Sequence, residues 1–330
     1  MATCISSWYE IRSILDGLNR KLLKKPNLSL AITQLNSLSL KMQDEELARH
    51  SVICHAEQAS IYQKMGNHNE ERKQYLVAAH LLSDTFQISV SNRSRIQTYF
   101  PDEIADFYSR SIKLCLDMKA TRLAGLISLE AAKVLTSCEH FAMAIDHAER
   151  AVSLLEGEFF AHTRALYCLA TIHFCLYQYE HLLSVIDDLW VTIMKNRPRS
   201  SIGRRMLKDL EVITVLIMQR TKLCPSGRHR VFKNLYEING VRALAVNSAN
   251  LHAVDSSSLS PREYSDFKNF LSFLSMGKVR EAKILLFNHF STPKETRSLP
   301  PVQLKFEFLS PLGIQVICHF LDEGLVDYGG

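Results

Sequence analysis

Glycine and proline are scarce in this sequence. They number 12 and 9 among 330 residues, half of the usual ~7% and ~5%. Because these residues punctuate strands and turns, their scarcity argues against a sheet-rich protein. The rest of the composition is 47% apolar and rich in good helix formers, which predicts an all-α chain with short connections.

A strong charge of either sign is also missing. The 39 Lys+Arg against 34 Asp+Glu give a formal charge of +5, too small for a phosphate-binding surface, so we expect no nucleic-acid partner. The basic residues form short clusters, which we interpret as solvated helix ends and loops, with a surface facing an acidic group as the alternative. The clusters are Arg20-Lys21 with Lys24-Lys25, then Arg197, Arg199, Arg204 and Arg205, then Arg228 and Arg230.

Long hydrophobic runs are absent as well. The longest apolar stretch, Val212–Met218, is about a third of the ~20 residues that a membrane span needs. Met1–Glu10 has neither the basic region nor the apolar run of a secretory signal. The eight cysteines are scattered without a C-x-x-C pair. We therefore expect no direct membrane insertion, reduced thiols, and a location in the cytoplasm or nucleus.

Local motifs for catalysis or cofactor binding are absent too. The sequence contains no phosphate-binding loop, dinucleotide fingerprint, H-E-x-x-H or G-x-S-x-G. The nearest metal-like cluster is Cys168, His173 and Cys175, but a helix would place Cys168 and His173 on different faces. We predict no enzyme, no cofactor and no metal site. A Cys–His nucleophilic pair stays open, because its members can meet only in the fold.

Helical periodicity begins near the N-terminus. Ile11, Leu15 and Leu18 share one apolar stripe, and Pro26 ends this helix because a proline disfavours helical backbone at the preceding residue. A second helix follows, with Leu28 and Met42 on one face. These two helices are predicted to form an antiparallel pair joined by a short turn.

The next segment has tetratricopeptide spacing. Ala59, Tyr62 and Gly66 are followed by Tyr75 and Ala78, which is the order of small, aromatic and turn residues in such a helix–turn–helix unit. Glu71 stands where this repeat usually has alanine, so we expect looser packing there. Two further units are predicted from these positions: Ala132, Leu135, Phe141, Ala144, Ala148 and Ala151, then Ala170, His173, Tyr179, Leu182, Ile186 and Leu189.

The predicted architecture is a tetratricopeptide-like α-solenoid of antiparallel helix pairs. Residues 1–194 hold the N-terminal pairs with the three units, and residues 195–205 read as a basic loop. Residues 206–330 hold C-terminal helical pairs packed on the same solenoid. After Pro300 the residues alternate as in a strand, but no partner strand is evident, so we favour a helix.

Phenylalanine is concentrated in the C-terminal half. The residues are Phe267, Phe270, Phe273, Phe287, Phe290, Phe306, Phe308 and Phe320. So many rings on short helices predict more apolar surface than one thin layer covers, and large apolar patches mark interaction sites. We therefore expect Phe270, Phe273 and Phe287 to contact a partner.

Several segments, taken in order along roughly residues 9–310, match a known family, although no single motif is diagnostic. They are Tyr9–Arg12, Leu18–Asn27, Gln34-Leu35, Leu210–Val212, Val215-Leu216, Phe270–Leu274 and Glu281–Lys283. On these residues the sequence resembles the forty-kilodalton huntingtin-associated protein family, also called the factor VIII intron 22 protein family. Lys195–Arg205 is far shorter than the Pro/Ala-rich loop of vertebrate-like members, and Ile314–Gly330 extends past the family's usual end.

This resemblance implies a non-enzymatic subunit held between the two helical-repeat arms of huntingtin, in a one-to-one complex. It also implies a link to Rab5 and early endosomes. Glu263, Asp266 and Glu281 match the acids expected to face a basic region of huntingtin. Local pairing of Glu281 with Lys278 or Lys283 is the plainer alternative. A vesicle-traffic adaptor of the soluble NSF attachment protein type is the alternative function.

Overall fold

The computed structural model describes residues 2–19, 27–91, 100–196, 200–224, 226–236, 257–286 and 306–323. Within these ranges all regular structure is helical. Neighbouring helices pack against each other, so the expected all-α, solenoid-like fold is confirmed. None of the described helices is long and apolar enough to cross a membrane.

The described part contains fourteen helices. They are α1 (Ala2–Asn19), α2 (Leu28–Asp44), α3 (Ala48–Lys64), α4 (His68–Ser91), α5 (Phe100–Asp117), α6 (Thr121–Ser137), α7 (Phe141–Leu154), α8 (Phe159–Cys175), α9 (Tyr179–Asn196), α10 (Ser201–Thr221), α11 (Gly227–Leu235), α12 (Pro261–Ser275), α13 (Val279–Leu286) and α14 (Pro311–Glu323).

The chain divides into two compact units, Met1–Cys168 and Leu169–Gly330. The division falls inside α8, whereas the sequence suggested residues 195–205. That segment is also less of a loop than expected, because α9 continues through Asn196 and α10 already begins at Ser201. The side chain of Ser200 accepts the N–H of Gly203 at 2.9 Å and starts α10, an N-cap that the lack of apolar periodicity concealed.

One turn geometry recurs at six helix-to-helix connections of the described chain. A residue with left-handed backbone (φ from 57° to 69°) donates its N–H to the carbonyl three residues back, and the next residue donates to the carbonyl five back. This Schellman motif satisfies the last carbonyls of a helix. The carbonyl of that next residue also accepts the N–H four residues further on, which is the first hydrogen bond of the following helix, so one short turn closes one helix and opens another. The left-handed residues are Glu46, Gly66, Lys119, Glu139, Tyr177 and Gly277.

Three of the five predicted positions of the first tetratricopeptide-like unit are buried. Ala59 and Ala78 are fully buried, Tyr75 is buried on α4, and Gly66 forms the left-handed turn. Glu71 is also buried, with its carboxylate 3.0 Å from Nδ1 of the exposed His68 one turn earlier. The acid in the alanine position is therefore accommodated by a local pair.

Close helix packing continues in α6 and α7. Ala144, Ala148 and Ala151 are fully buried, as their repeat positions predict. At Gly125 of α6, an added Cβ would lie 2.7 Å from Cγ of Leu155, just after α7. This contact requires glycine or a shift of the leucine.

Helix α10 is the centre of the second unit. Every residue from Leu210 to Met218 is buried, and α10 contacts α9, α11 and α14. Two carboxylates, Asp209 and Glu211, are buried at the start of this stretch. A helix that is buried all round needs partners for such groups, and both find them in distant segments.

The C-terminal tail is helical where the structure describes it. Phe306 and Phe308 lie in an irregular turn, and α14 starts at Pro311. The preference for a helix over a strand is therefore confirmed for Pro311–Glu323. Val302 and Leu304, which completed the alternating pattern, lie outside the described residues.

Candidate functional site

The three phenylalanines expected to contact a partner differ in their burial. Phe270 is fully buried and stacks on Phe267 with ring centroids 6.1 Å apart, while Phe273 is half-buried. Phe287 lies outside the described residues. Phe267 also meets Phe306 edge to face at 6.3 Å. The expectation of uncovered rings was wrong for Phe270, because the aromatic rings of this half cover one another.

The three candidate acids differ in their surroundings. Glu281 is exposed in the first turn of α13, and Asp266 is partly exposed on α12. Lys283 lies 3.8 Å from Asp322 of α14, so in the described part its recorded ion pair is with Asp322, not Glu281. Glu281 and Asp266 are thus placed where a partner could reach them.

Glu263 has two intramolecular roles at the start of α12. Its carboxylate accepts the backbone N–H of Ser260 at 2.7 Å in a capping box and lies 2.6 Å from Nζ of Lys208. Partial burial alone would raise its pKa, but the hydrogen bonds from Lys208 and Ser260 outweigh burial and lower the pKa below its usual value. Glu263 is therefore an internal ion-pair residue of the second unit.

Beside this ion pair lies an open cavity of about 600 Å³, here called the basic cleft. Three cationic side chains of α10, Arg204, Arg205 and Lys208, line it with two carboxylates, Glu263 and Glu307. The remaining lining is Ser201, Ser258, Leu259, Ser260 and Phe308. The volume is within the range of about 300–1,000 Å³ found for ligand sites.

The cations of the basic cleft are held in different ways. The guanidinium of Arg205 donates to the backbone carbonyl of Glu307. Lys208 pairs with Glu263 and lies 5.6 Å from the ring centroid of Phe308, a cation–π distance. Arg204 is exposed, and no ion pair to it occurs among the described residues. Arg204 is thus the cation most available to an external anion.

Two buried carboxylates of α10 fix the two edges of the cleft. Glu211 accepts from Tyr236 Oη at 2.7 Å, Ser257 Oγ at 2.6 Å and the Ser258 N–H at 2.6 Å. Asp209 accepts the N–H of Ser310 at 2.8 Å. Glu211 therefore anchors the segment that leads to Ser258–Ser260, and Asp209 anchors the segment that follows Glu307 and Phe308.

Burial dominates the electrostatics of Glu211. It raises the pKa of this carboxyl above its ordinary value, although the hydrogen bonds from Ser257, Tyr236 and Ser258 act in the opposite direction. Sequence reasoning missed this residue as a structural anchor. The available signal was a carboxylate directly before the apolar stretch Val212–Met218 of α10.

The cysteines and histidines named as metal or nucleophile candidates have structural surroundings. Cys168 is buried, and burial raises the pKa of its thiol to about 11. Nδ1 of His173 lies 2.8 Å from Oε1 of Gln178 in the turn before α9. Across the described residues, no group of three or more His, Cys, Asp or Glu side chains has a geometry that could hold a metal ion.

Ser226, His229 and Asp187 form a constellation that superficially resembles a catalytic triad. The Ser226 Oγ lies 2.6 Å from Nδ1 of His229, and Oδ2 of Asp187 lies 3.8 Å from the same nitrogen. A triad requires the serine and the acid on opposite ring nitrogens. Here Ser226 and His229 form the capping box of α11, which explains their proximity structurally.

The two comparisons with known proteins leave the family open. A scan of the sequence against protein-family models gives no match, and a search of curated proteins gives none either.

Proposed function

We propose that this chain is a non-enzymatic subunit that binds huntingtin in a one-to-one complex and stabilises it. The observation that carries the proposal is the turn repeated at six helix connections. Proteins built of repeated helix pairs present long surfaces and act chiefly by binding other proteins. The identity of the partner rests on the sequence resemblance, as do a link to Rab5 and a location at early endosomes.

Surface apolar residues support a binding role in both units. In the first unit Tyr9 is 64% exposed and Ile88 is 61% exposed, and in the second unit Met276 and Tyr177 are 63% and 61% exposed. Single exposed apolar residues are normal, so none of these four marks an interface by itself. We expect all four side chains to lose solvent exposure in the complex.

The test is co-expression of the full chain with and without a huntingtin homologue, followed by size-exclusion chromatography. We expect co-elution with the partner and a larger soluble yield in its presence. Asp266→Lys combined with Glu281→Lys should weaken co-elution. Glu149→Lys combined with Glu156→Lys, at exposed positions in and just after α7, serves as the charge-matched control. A monodisperse chain that never co-elutes with huntingtin would overturn the proposal.

A thiol experiment tests the non-enzymatic part. Cys318 is exposed, whereas Cys54, Cys115, Cys138 and Cys168 are buried. A small electrophile should therefore label Cys318 before the four buried thiols, which should react only on unfolding. Rapid, selective labelling of a buried cysteine in the native chain, read by peptide mass mapping, would instead indicate a catalytic nucleophile.

A further inference from the structure

The basic cleft lies at the end of a basic stretch of sequence. From Lys195 to Lys208 there are six Lys or Arg residues and no Asp or Glu. Within the described part, the cleft itself brings three cations together with two carboxylates. Its small excess of positive charge suits a carboxylate-bearing segment better than a densely charged polyanion, which requires many cationic contacts.

The cleft is larger than a single small anion needs. Its volume is about 600 Å³, and its lining includes Ser201, Ser258 and Ser260. Leu259 and Phe308 also line it but are already 4% and 9% exposed, so they shape the cavity and offer little apolar surface. An inorganic anion would fill only part of this space, whereas a peptide segment can occupy it.

Arg204 is the most accessible cationic group of the site. A guanidinium can bind a carboxylate through two parallel N–H···O bonds, and Arg204 has no recorded ion pair within the described ranges to compete with that contact. Lys208 is already paired with Glu263, so it adds positive charge near the site and does not bind the carboxylate of the ligand directly. Direct recognition therefore centres on Arg204.

The edges of the cleft are held in place before any ligand arrives. Glu211 fixes Ser258 through its N–H, and Asp209 fixes Ser310 through its N–H. Both carboxylates belong to α10, the helix that also carries Arg204. A site that is already ordered loses less conformational entropy on binding.

We infer that the basic cleft binds an acidic segment of a protein partner, with an Asp or Glu carboxylate on Arg204 and the rest of the segment along the serine-lined edge at Ser258–Ser260. The inference rests on the proposed function in taking the ligand to be part of a protein. It adds a surface, and a partner chemistry, that the acids of α12 and α13 do not provide.

The test uses the full chain and a fluorescent peptide of alternating glutamate and leucine, followed by fluorescence anisotropy. The matched peptide has glutamine in place of each glutamate. We expect the glutamate peptide to bind at least about tenfold more tightly, with an affinity that falls as salt is added. Equal binding of the two peptides would overturn the inference.

Charge reversal locates the binding site. Arg204→Glu should reduce the affinity by about tenfold or more. Arg230→Glu is the control, because Arg230 is exposed on α11 and does not line the cleft. Equal losses in both variants would show a general charge effect and contradict the assignment.

Hydrogen exchange of the unmodified chain provides a second readout in case Arg204→Glu fails to fold. Saturating glutamate peptide should slow exchange in 257–260 and 306–309, the two edges of the cleft. Protection elsewhere only, or complete displacement of the peptide by equimolar inorganic phosphate or by phosphatidylserine vesicles, would overturn the inference. If huntingtin co-elutes but the peptide does not bind, the cleft assignment fails and the proposed function survives. If the peptide binds but huntingtin does not co-elute, the cleft assignment survives and the proposed function fails.

Discussion

The two units of this chain are stabilised by different kinds of contact. In Met1–Cys168 the helices from α1 to α7 pack mainly on their neighbours in sequence, with small residues such as Ala59 and Ala144 fully buried. In Leu169–Gly330 the central helix α10 is bonded to segments far along the chain. Asp209 reaches Ser310, 101 residues away, and Glu211 reaches Ser258, 47 residues away.

This difference has consequences for sequence and for stability. A repeat of neighbouring contacts produces a spaced pattern of small and aromatic residues, and its stability is spread over many similar contacts. The long-range hydrogen bonds of the second unit depend on the single buried carboxylates Asp209 and Glu211, whose removal leaves buried donors unsatisfied. Substitution of these carboxylates should therefore have larger effects than substitution at the repeated turns.

Removal of Glu211 should have the largest effect. Glu211→Ala leaves the hydroxyls of Tyr236 and Ser257 and the N–H of Ser258 without their acceptor. We expect the free energy of unfolding of the second unit to fall by about 3–4 kcal/mol, since each unsatisfied buried donor costs about 1–3 kcal/mol. Urea unfolding in a Trp8→Phe background, with Trp190 of α9 as the sole tryptophan, measures this unit.

Glu211→Gln is the matched control for that experiment. Glutamine keeps one acceptor oxygen and lacks the charge that burial disfavours, so the loss should be clearly smaller. An equally large loss would show that the charge or the second oxygen of the carboxylate, rather than the acceptor that glutamine keeps, determines stability.

The first unit should lose stability in acid through His147. Burial lowers the pKa of this histidine to about 4, and the charge of Arg150 acts in the same direction. Since the folded pKa is below the ordinary value of 6.5, the folded state resists protonation, and stability falls as pH drops from 6.5 towards 4. With about 1.4 kcal/mol for a pKa difference of one, the loss reaches about 3 kcal/mol.

Thermal unfolding by circular dichroism across this pH range measures the effect. His147→Gln, which does not titrate, should have a flatter profile than the unsubstituted chain. Parallel profiles for the two proteins would exclude His147 as the cause.

Substitution of Gly313 should have an effect of intermediate size on stability, because the side chain of Asp209 lies very close to this glycine. A Cβ at this position would collide with Oδ1 of Asp209 and approach Cδ2 of Leu309 to 3.1 Å. Gly313→Ala should therefore destabilise the second unit by about 1–3 kcal/mol, the usual cost of overpacking. The Trp190 signal measures the change.

Gly17→Ala is the control, because this substitution should raise the free energy of unfolding instead of lowering it. Nothing lies within 4 Å of an added Cβ at this position in α1, so we expect a gain of about 0.5–1 kcal/mol from the better helix propensity of alanine. Losses at both glycines would indicate that backbone flexibility, and not the contact with Asp209, decides the outcome.

The repeated turns should give the smallest effects. Lys119 and Glu139 have left-handed backbone without being glycine, a conformation that costs a side-chain residue about 1 kcal/mol. Lys119→Gly and Glu139→Gly should each stabilise the first unit by up to that amount, whereas Gly66→Ala should destabilise it similarly. Denaturant midpoints of the three variants check the signs, and a loss on Lys119→Gly would contradict the account of the turn.

The sequence predicts the first unit better than the second for physical reasons. Ala59, Tyr75 and Ala78 are buried at repeat spacing, and Gly66 has the left-handed backbone that its turn requires, so both features leave a pattern in the sequence. The other left-handed residues of the repeated turn, such as Glu139 and Tyr177, carry no such signal, since only glycine is distinctive there. Hydrogen bonds of the backbone, not side-chain identity, form those turns.

The candidate site is harder to predict from sequence. Counting phenylalanines does not show whether Phe270 faces Phe267 or solvent, and in the structure it is fully buried. Arg204 and Arg205 are recognisable as a charge cluster, but their cleft depends on Ser258 and Phe308, which are distant in sequence. The buried carboxylates Asp209 and Glu211 help to bring these parts together through hydrogen bonds that span many residues.

The mass of the purified complex is the most direct test of the proposed function. The full chain and a huntingtin homologue, each purified and then mixed in equal amounts, should give by light scattering one species with the summed mass of one copy of each. Two separate species at the masses of the free proteins, at micromolar concentration and low salt, would contradict the account.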